Sequence, residues 1–249
     1  MAKSDFPSFV FFGTDEFATA VLKELANAKI FPSDDISKSD LGLVASYGKI
    51  IPPTIFNLPK YGTLNIHPSL LPKYRGPTPI QSAILNGDEE TGVTLMLLDE
   101  QMDHGPTLQT KSYNLKAKSF IEARDDLAKL GAELFLDTAP LWVAGKIKAA
   151  PQDHTQATYT KKIKKEAGLI NLTNDPILNY QKFRAYYRWP GSYFFIERNR
   201  KRVRVIITVA HLADNQFVID RVKPEGKKDM LYADFQRGFK VEKQIKSGR

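Results

Sequence analysis

The first half of the chain is patterned as short apolar runs that end in polar or glycine-rich turns, with longer amphipathic stretches between them. Ser8 to Phe12 (SFVFF) is a continuous apolar run closed by Gly13 and Thr14, the pattern of a buried strand leaving through a tight turn. Phe17, Ala20, Val21, Leu25 and Ala28 follow mostly at spacings of three and four, which predicts a helix over residues 15–28 with one apolar face. The Pro, Ser and Asp cluster FPSDDISKSD marks a loop, and LGLVASYG reads as a second buried strand over 41–47. Strand, helix and strand in succession imply a right-handed parallel crossover. With no other strand between residues 29 and 40, the strand 8–12 is expected at the edge of its sheet.

Further on, GTLNIH (62–67) reads as a strand with polar residues at its end, followed by the loop PSLLPKYRGPTP, a helix over 80–85 and the strand VTLMLLD. The second polar cluster, Asp99, Asp103 and His104, lies at that strand's end. Ligands gather outside the carboxyl ends of strands in open α/β sheets, so both clusters are expected to face one crevice. Residues 119–144 carry the periodicity of a long amphipathic helix that closes the first domain. After Gly145 the pattern changes. APQDHTQATYTKKIKKEAG is polar and basic and reads as a linker, and SYFFIE, RVRVIITVAHL and QFVIDRV are β-rich runs that predict a small barrel or antiparallel sheet. The expected division is a first domain over 1–150, a basic linker over 151–185 and a β-rich domain over 186–249.

Composition narrows this picture. A chain of 249 residues with 42% hydrophobic content can bury a full α/β core and a small second domain. No apolar run approaches the roughly 20 residues of a spanning helix, and a soluble, cytoplasmic, monomeric protein without membrane contact is expected. With no cysteine, disulfides, thiolate nucleophiles and thiolate metal sites are excluded, and the four scattered His give no metal-binding spacing. No metal is expected. Residues 1–149 carry 15 Lys and Arg against 18 Asp and Glu, while residues 150–249 carry 21 against 10, so the halves have net charges of −3 and +11. The basicity sits in the C-terminal part, where it suggests an acidic partner, nucleic acid first.

Asn65, His67 and Asp103 are the candidates for chemistry. A neutral imidazole takes or returns a proton near neutral pH, a nearby carboxylate fixes its tautomer, and a side-chain amide donates to a developing oxyanion. Together they suit acyl transfer. The GxSxG nucleophile elbow is absent, so the nucleophile is expected to come from the substrate. Taken by spacing alone, a structural role for each of the three stays open: Asn and Asp near turns usually cap backbone groups.

The string TLNIHPSLLPKYRGPTPIQSAILNGDEETGVTLMLLDEQMDHGPTL, Thr63 to Leu108, resembles the core of the methionyl-tRNA formyltransferase family, with its NxH, SLLPxYRG and MDxG signatures. The likeness extends through VFFGTDEFA, VASYGKIIP, YTKKIKKEAGLINL and FRAYYRWPGSYFF to nearly the whole chain. It implies a Rossmann-like parallel sheet truncated at one edge, followed by a β-rich, OB-like domain. It also implies that Asn65, His67 and Asp103 match the family's catalytic trio and that Ser69, Leu70, Leu71 and Pro72 match its folate-contacting loop. The donor would be 10-formyltetrahydrofolate, its pterin beside Val44, Ala45, Tyr47 and Ile50. The acceptor would be initiator methionyl-tRNA, with Gly13, Thr14, Arg75 and Gly76 at the substrate mouth. Lys161, Lys162, Lys164 and Lys165 would face phosphates, as would the cluster Arg198, Arg200, Lys201, Arg202 and Arg204. Trp189, Pro190 and Gly191 read as a structural corner.

The chain departs from the family between the first helix and the VASYG strand. There the resemblance calls for a strand, a basic loop, a helix and a further strand, and only Lys29 to Asp40 fills the space. That loop is the one the family inserts against the acceptor stem, so discrimination among tRNAs is expected to be weaker. Two other enzymes share the trio and the donor: a sugar-nucleotide N-formyltransferase and a 10-formyltetrahydrofolate hydrolase. An RNA-binding protein with a decayed enzyme domain is the non-enzymatic alternative, against which the intact trio argues.

Overall fold

The computed structural model describes residues 6–198 and 200–238. The described residues divide into two compact units, the first formed by residues 6–83, 88–117 and 122–162, the second by 84–87, 118–121, 163–198 and 200–238.

The first unit holds a sheet of order β1-β2-β3-β4-β5. Its strands are β1 (Phe9–Phe12), β2 (Leu41–Val44), β3 (Thr63–His67), β4 (Glu90–Leu97) and β5 (Thr107–Asn114). β1 pairs with β2 and β2 with β3 in parallel, whereas β3–β4 and β4–β5 are antiparallel. The sheet is therefore mixed rather than all parallel. Helix α1 (Glu16–Asn27) joins β1 to β2, capped by Asp15, whose Oδ1 accepts from Ala18 N at 3.0 Å. Phe17, Ala18, Val21 and Leu25 form its buried face. Between α1 and β2 there is one short turn of helix at Ile36–Lys38 and no strand, so β1 is an edge, as the sequence predicts. Part of that edge is covered, because Ser33 N donates to Phe9 O at 2.7 Å.

Short helices α2 (Pro53–Phe56) and α3 (Pro79–Asn86) flank β3 in the chain, and α4 (Phe120–Val143) matches the predicted long helix to within a residue at each end. β3 is buried along its whole length. Successive side chains on a strand point to opposite faces. Gly131 of α4 lies so close to Ile66 that a Cβ there would stand 2.4 Å from its Cγ2, so α4 covers the Leu64 and Ile66 face. Asn65 and His67 consequently point to the other face. That alternation positions the candidate site.

In the second unit, β6 (Ser192–Arg198), β7 (Lys201–Ala213), β8 (Gln216–Pro224) and β9 (Met230–Leu231) form an antiparallel sheet in that order. Helix α5 (Pro176–Ala185) lies inside the stretch expected to be linker, and α6 (Tyr232–Gly238) follows β9. Phe183 of α5 and Phe235 of α6 join Ile170, Phe194, Ile196, Val205, Ile207 and Val222 in one apolar core. No helix among the described residues is long and apolar enough to cross a membrane.

Candidate active site

Asp103 of the second polar cluster meets the first, but not by the expected route, while Asp99 and His104 pair with each other. β4 is antiparallel to β3 and pairs Leu97 with Leu64 and Thr94 with His67, so its carboxyl end lies beside the start of β3. The chain after β4 folds back instead. Leu97 N donates to the Pro106 carbonyl at 2.9 Å, closing the intervening loop, and that loop carries Asp103 to the Asn65 and His67 face of β3.

There Asn65 Nδ2 donates to Asp103 Oδ1 at 3.3 Å, and His67 Nδ1 stands 3.6 Å from the same oxygen. Asp103 Oδ2 accepts from Gly76 N at 2.7 Å. On the far side of the ring, His67 Nε2 is 3.0 Å from Tyr74 O. A carbonyl only accepts, so Nε2 carries the proton and the neutral ring keeps its lone pair on Nδ1, toward Asp103 and Asn65. The tautomer is therefore set by a backbone carbonyl rather than by the carboxylate. Asn65 has a second N–H on Nδ2 that the bond to Asp103 does not use. Asn65 and His67 are buried, and Asp103 adopts a left-handed backbone with φ of 50°.

Val44 is the register partner of Asn65 on β2 and is buried, as is Ala45. Tyr47 packs edge-on against Phe12 with ring centroids 5.7 Å apart. Ile50, expected beside them, is 90% exposed and lines no buried wall. The Ser69–Pro72 loop is pinned to β4: Thr94 Oγ1 donates to Ser69 O at 2.7 Å and accepts from Leu71 N at 3.1 Å. The Ser69 hydroxyl is turned inward and donates to Lys73 O at 2.6 Å. Leu70 and Pro72 are part-buried in the same loop.

At the expected substrate mouth, Thr14 Oγ1 donates to Tyr47 O at 2.9 Å, lacing the β1 turn to the end of β2. Gly13 is needed for that approach, because a Cβ would fall 2.5 Å from Ala18 Cβ. Gly76 has φ of 107° and supplies its N–H to Asp103. Arg75 does not belong with them. It is 1% exposed, and its guanidinium is spent on Gln152, His154 and Tyr159, so it presents no charge to a substrate. Lys161, Lys162, Lys164 and Lys165 are exposed, the first two in the first unit and the others in the second. On the outward face of β6 and β7, Arg202 lies over the Phe195 ring at 3.7 Å and Arg204 over Tyr193 at 3.8 Å. Arg198, Arg200 and Lys201 follow at the hairpin end, and Gly191, after the cis Trp189–Pro190 bond, lies against Gly168. Among the described residues there is no cluster of His, Asp and Glu that could hold a metal ion.

Comparison with known proteins fits this arrangement. A family described as formyl transferase matches residues 16–136, a span that contains Asn65, His67, the Ser69–Pro72 loop and Asp103. The methionyl-tRNA formyltransferase of Roseiflexus castenholzii is 36% identical over 226 residues, covering 82% of this chain and 72% of the relative. The chain belongs to the methionyl-tRNA formyltransferase family. The enzyme of that name from Chloroflexus aurantiacus is 45% identical over 157 residues, 63% of this chain, and there the match spans only about half of the relative, 51%. The solved methionyl-tRNA formyltransferase from Clostridium thermocellum shares the fold with a TM-score of 0.65 at 18% identity, over 88% of this chain and 98% of that one.

Three contributors escaped the sequence. Tyr74 O and Gly76 N are backbone groups, and no side-chain pattern announces them. Gln152 was legible only as a polar residue in a stretch read as linker, yet it is buried.

Proposed function

We propose that the chain transfers the formyl group of 10-formyltetrahydrofolate to the amino group of initiator methionyl-tRNA. The observation that carries the reading is the joint hold on Asp103 by Asn65 and Gly76, with the His67 lone pair beside it, in a chain of this family. The amine attacks the formyl carbon directly and forms the new C–N bond, with no covalent enzyme intermediate. Its proton passes to His67 Nδ1, through water where the amine is out of reach. The resulting imidazolium keeps Nε2 on the Tyr74 carbonyl and is stabilised by the charge of the Asp103 carboxylate, 3.6 Å from Nδ1, which leaves the Nδ1 proton free to turn to the oxyanion. Before that transfer a neutral His67 has no free N–H, so the second N–H of Asn65 is the first donor to the oxyanion, and His67 joins it once charged. Collapse breaks the bond from carbon to N10 of the folate, and N10 receives the proton from His67. Val44, Ala45 and Tyr47, with the Leu70–Pro72 loop, would hold the pterin end by apolar contact and backbone edges.

The acceptor reading rests on the family and on the charge of the C-terminal half. Arg202 and Arg204, spread flat on aromatic rings, suit contact with phosphates and unstacked bases. With about four phosphates neutralised by these arginines and the exposed lysines 161, 162, 164 and 165, log affinity for tRNA should fall against log salt with a slope of roughly −3. A flat salt dependence contradicts that surface. The test of function itself is incubation of the protein and 10-formyltetrahydrofolate with initiator methionyl-tRNA, with an amino-sugar nucleotide, and with no acceptor. Formyl-methionyl-tRNA is expected, and formylated sugar, or formate released without acceptor, would replace this reading by one of its alternatives.

A further inference from the structure

Formyl transfer as written makes no use of Gln152, yet this side chain is buried and all of its hydrogen-bonding capacity is committed. Its Oε1 accepts from Arg75 Nη2 at 2.6 Å and Nε at 3.2 Å. Its Nε2 donates to Asp103 O at 3.0 Å and to Gly105 O at 2.7 Å. One amide thus ties together two loops. The first, Tyr74 to Gly76, sets the His67 tautomer through Tyr74 O and holds Asp103 Oδ2 through Gly76 N. The second presents Asp103 from a left-handed backbone with φ of 50°, a conformation Asp adopts more readily than most residues. Arg75 is fixed in turn from three sides. Its Nη2 donates to His154 Nδ1 at 2.9 Å, which requires that nitrogen to be unprotonated, its Nη1 donates to Tyr159 Oη at 3.3 Å, and its backbone pairs with Thr158 and Thr160.

We infer that Gln152 is a positioning residue for the His67–Asp103 pair, acting by bridging Arg75 to the Asp103 backbone. The inference rests on the role proposed above for His67 and Asp103. An amide is suited to the task because it accepts on one side and donates on the other. Neither a carboxylate nor an ammonium does both. The bridge also explains why Arg75 points inward: its fork matches the amide oxygen, and the loop that carries it gains a fixed depth.

Two variants test this in the whole chain, with 10-formyltetrahydrofolate and initiator methionyl-tRNA. Gln152→Glu keeps the acceptor for Arg75 but turns an oxygen toward two carbonyls, and Gln152→Met removes both halves. Each should lower kcat by about 10- to 100-fold, the scale of a displacement near 1 Å in a reacting group, with KM for the folate within about threefold. The deciding measurement is the pair of double variants with Asp103→Asn. If Gln152 acts through Asp103, its loss in that background should cost less than about threefold more, because coupled residues are not additive. Wild-type kcat in both single variants, or losses that multiply with Asp103→Asn, would overturn the inference. Wild-type turnover by Asp103→Asn alone would instead overturn the reading of the site beneath it.

Discussion

At the centre of the first sheet β3 is buried over every residue and flanked by a strand on each side, while β1 at the edge has one neighbour and three part-buried residues out of four. The two strands respond differently to the same shortening of the chain. Lys29 to Asp40 replaces the segment that the family resemblance calls for, and β1 is left as the edge with Ser33 covering one of its carbonyls. β3 keeps both partners, its helix-covered face and its polar face. A sheet can lose strands from its rim and leave a site two strands inward unaltered, because hydrogen bonds and side-chain packing pass between adjacent strands only. By the resemblance, the part exposed to loss is the loop expected against the acceptor stem.

The largest effect expected from the centre is chemical. His67→Ala should slow formyl transfer by about 10²- to 10³-fold while folate still binds, since the variant lacks the base and one oxyanion donor. Single-turnover rates alongside folate titration check this. Next, Ile66→Ala, beneath Gly131 of α4, should destabilise the fold by about 2–5 kcal/mol in denaturant unfolding, the cost of a cavity in a packed core. At the edge the matching change is smaller: Ser33→Pro removes the N–H given to Phe9 O and should cost about 1 kcal/mol. An equal loss at both positions would show that centre and edge are not energetically distinct. The most modest expectation concerns substrate choice. Initiator and elongator methionyl-tRNA should be formylated with kcat/KM values closer together than the family resemblance implies, and full discrimination would place tRNA reading in the basic second unit alone.

Much of this was legible in the sequence, for reasons that can be named. Apolar runs located β1, β2 and β4, the short run GTLNIH with its polar end located β3, and helical periodicity located α1 and α4. The absence of a strand between 29 and 40 followed from its Pro, Ser and Asp content. β5 was not legible because TLQTKSYN is polar on both faces and buries only Leu108 among its eight residues. α5 was hidden in a basic stretch. Its own signal was local: Asp175 caps Ile177 N and Leu178 N, and Pro176 opens the helix. At the site, the sequence names the side chains whose chemistry is obvious, while the backbone groups that orient them, Tyr74 O and Gly76 N, carry no side-chain signal. Arg75 was placed at the substrate mouth by the resemblance, and nothing in the string discloses that Gln152 receives it in the interior. Ile50, expected beside the pterin, is an apolar residue that the loop after β2 leaves exposed.

The most direct test of the account is the single-turnover rate of Asp103→Asn with 10-formyltetrahydrofolate and initiator methionyl-tRNA. The amide retains the size of the carboxylate and can still accept from Gly76 N, but it has no charge to hold the His67 imidazolium. A fall of at least about 100-fold, with folate affinity preserved, is the predicted result. A rate near that of the unaltered protein would contradict the claim that Asp103, His67 and Asn65 work as one site.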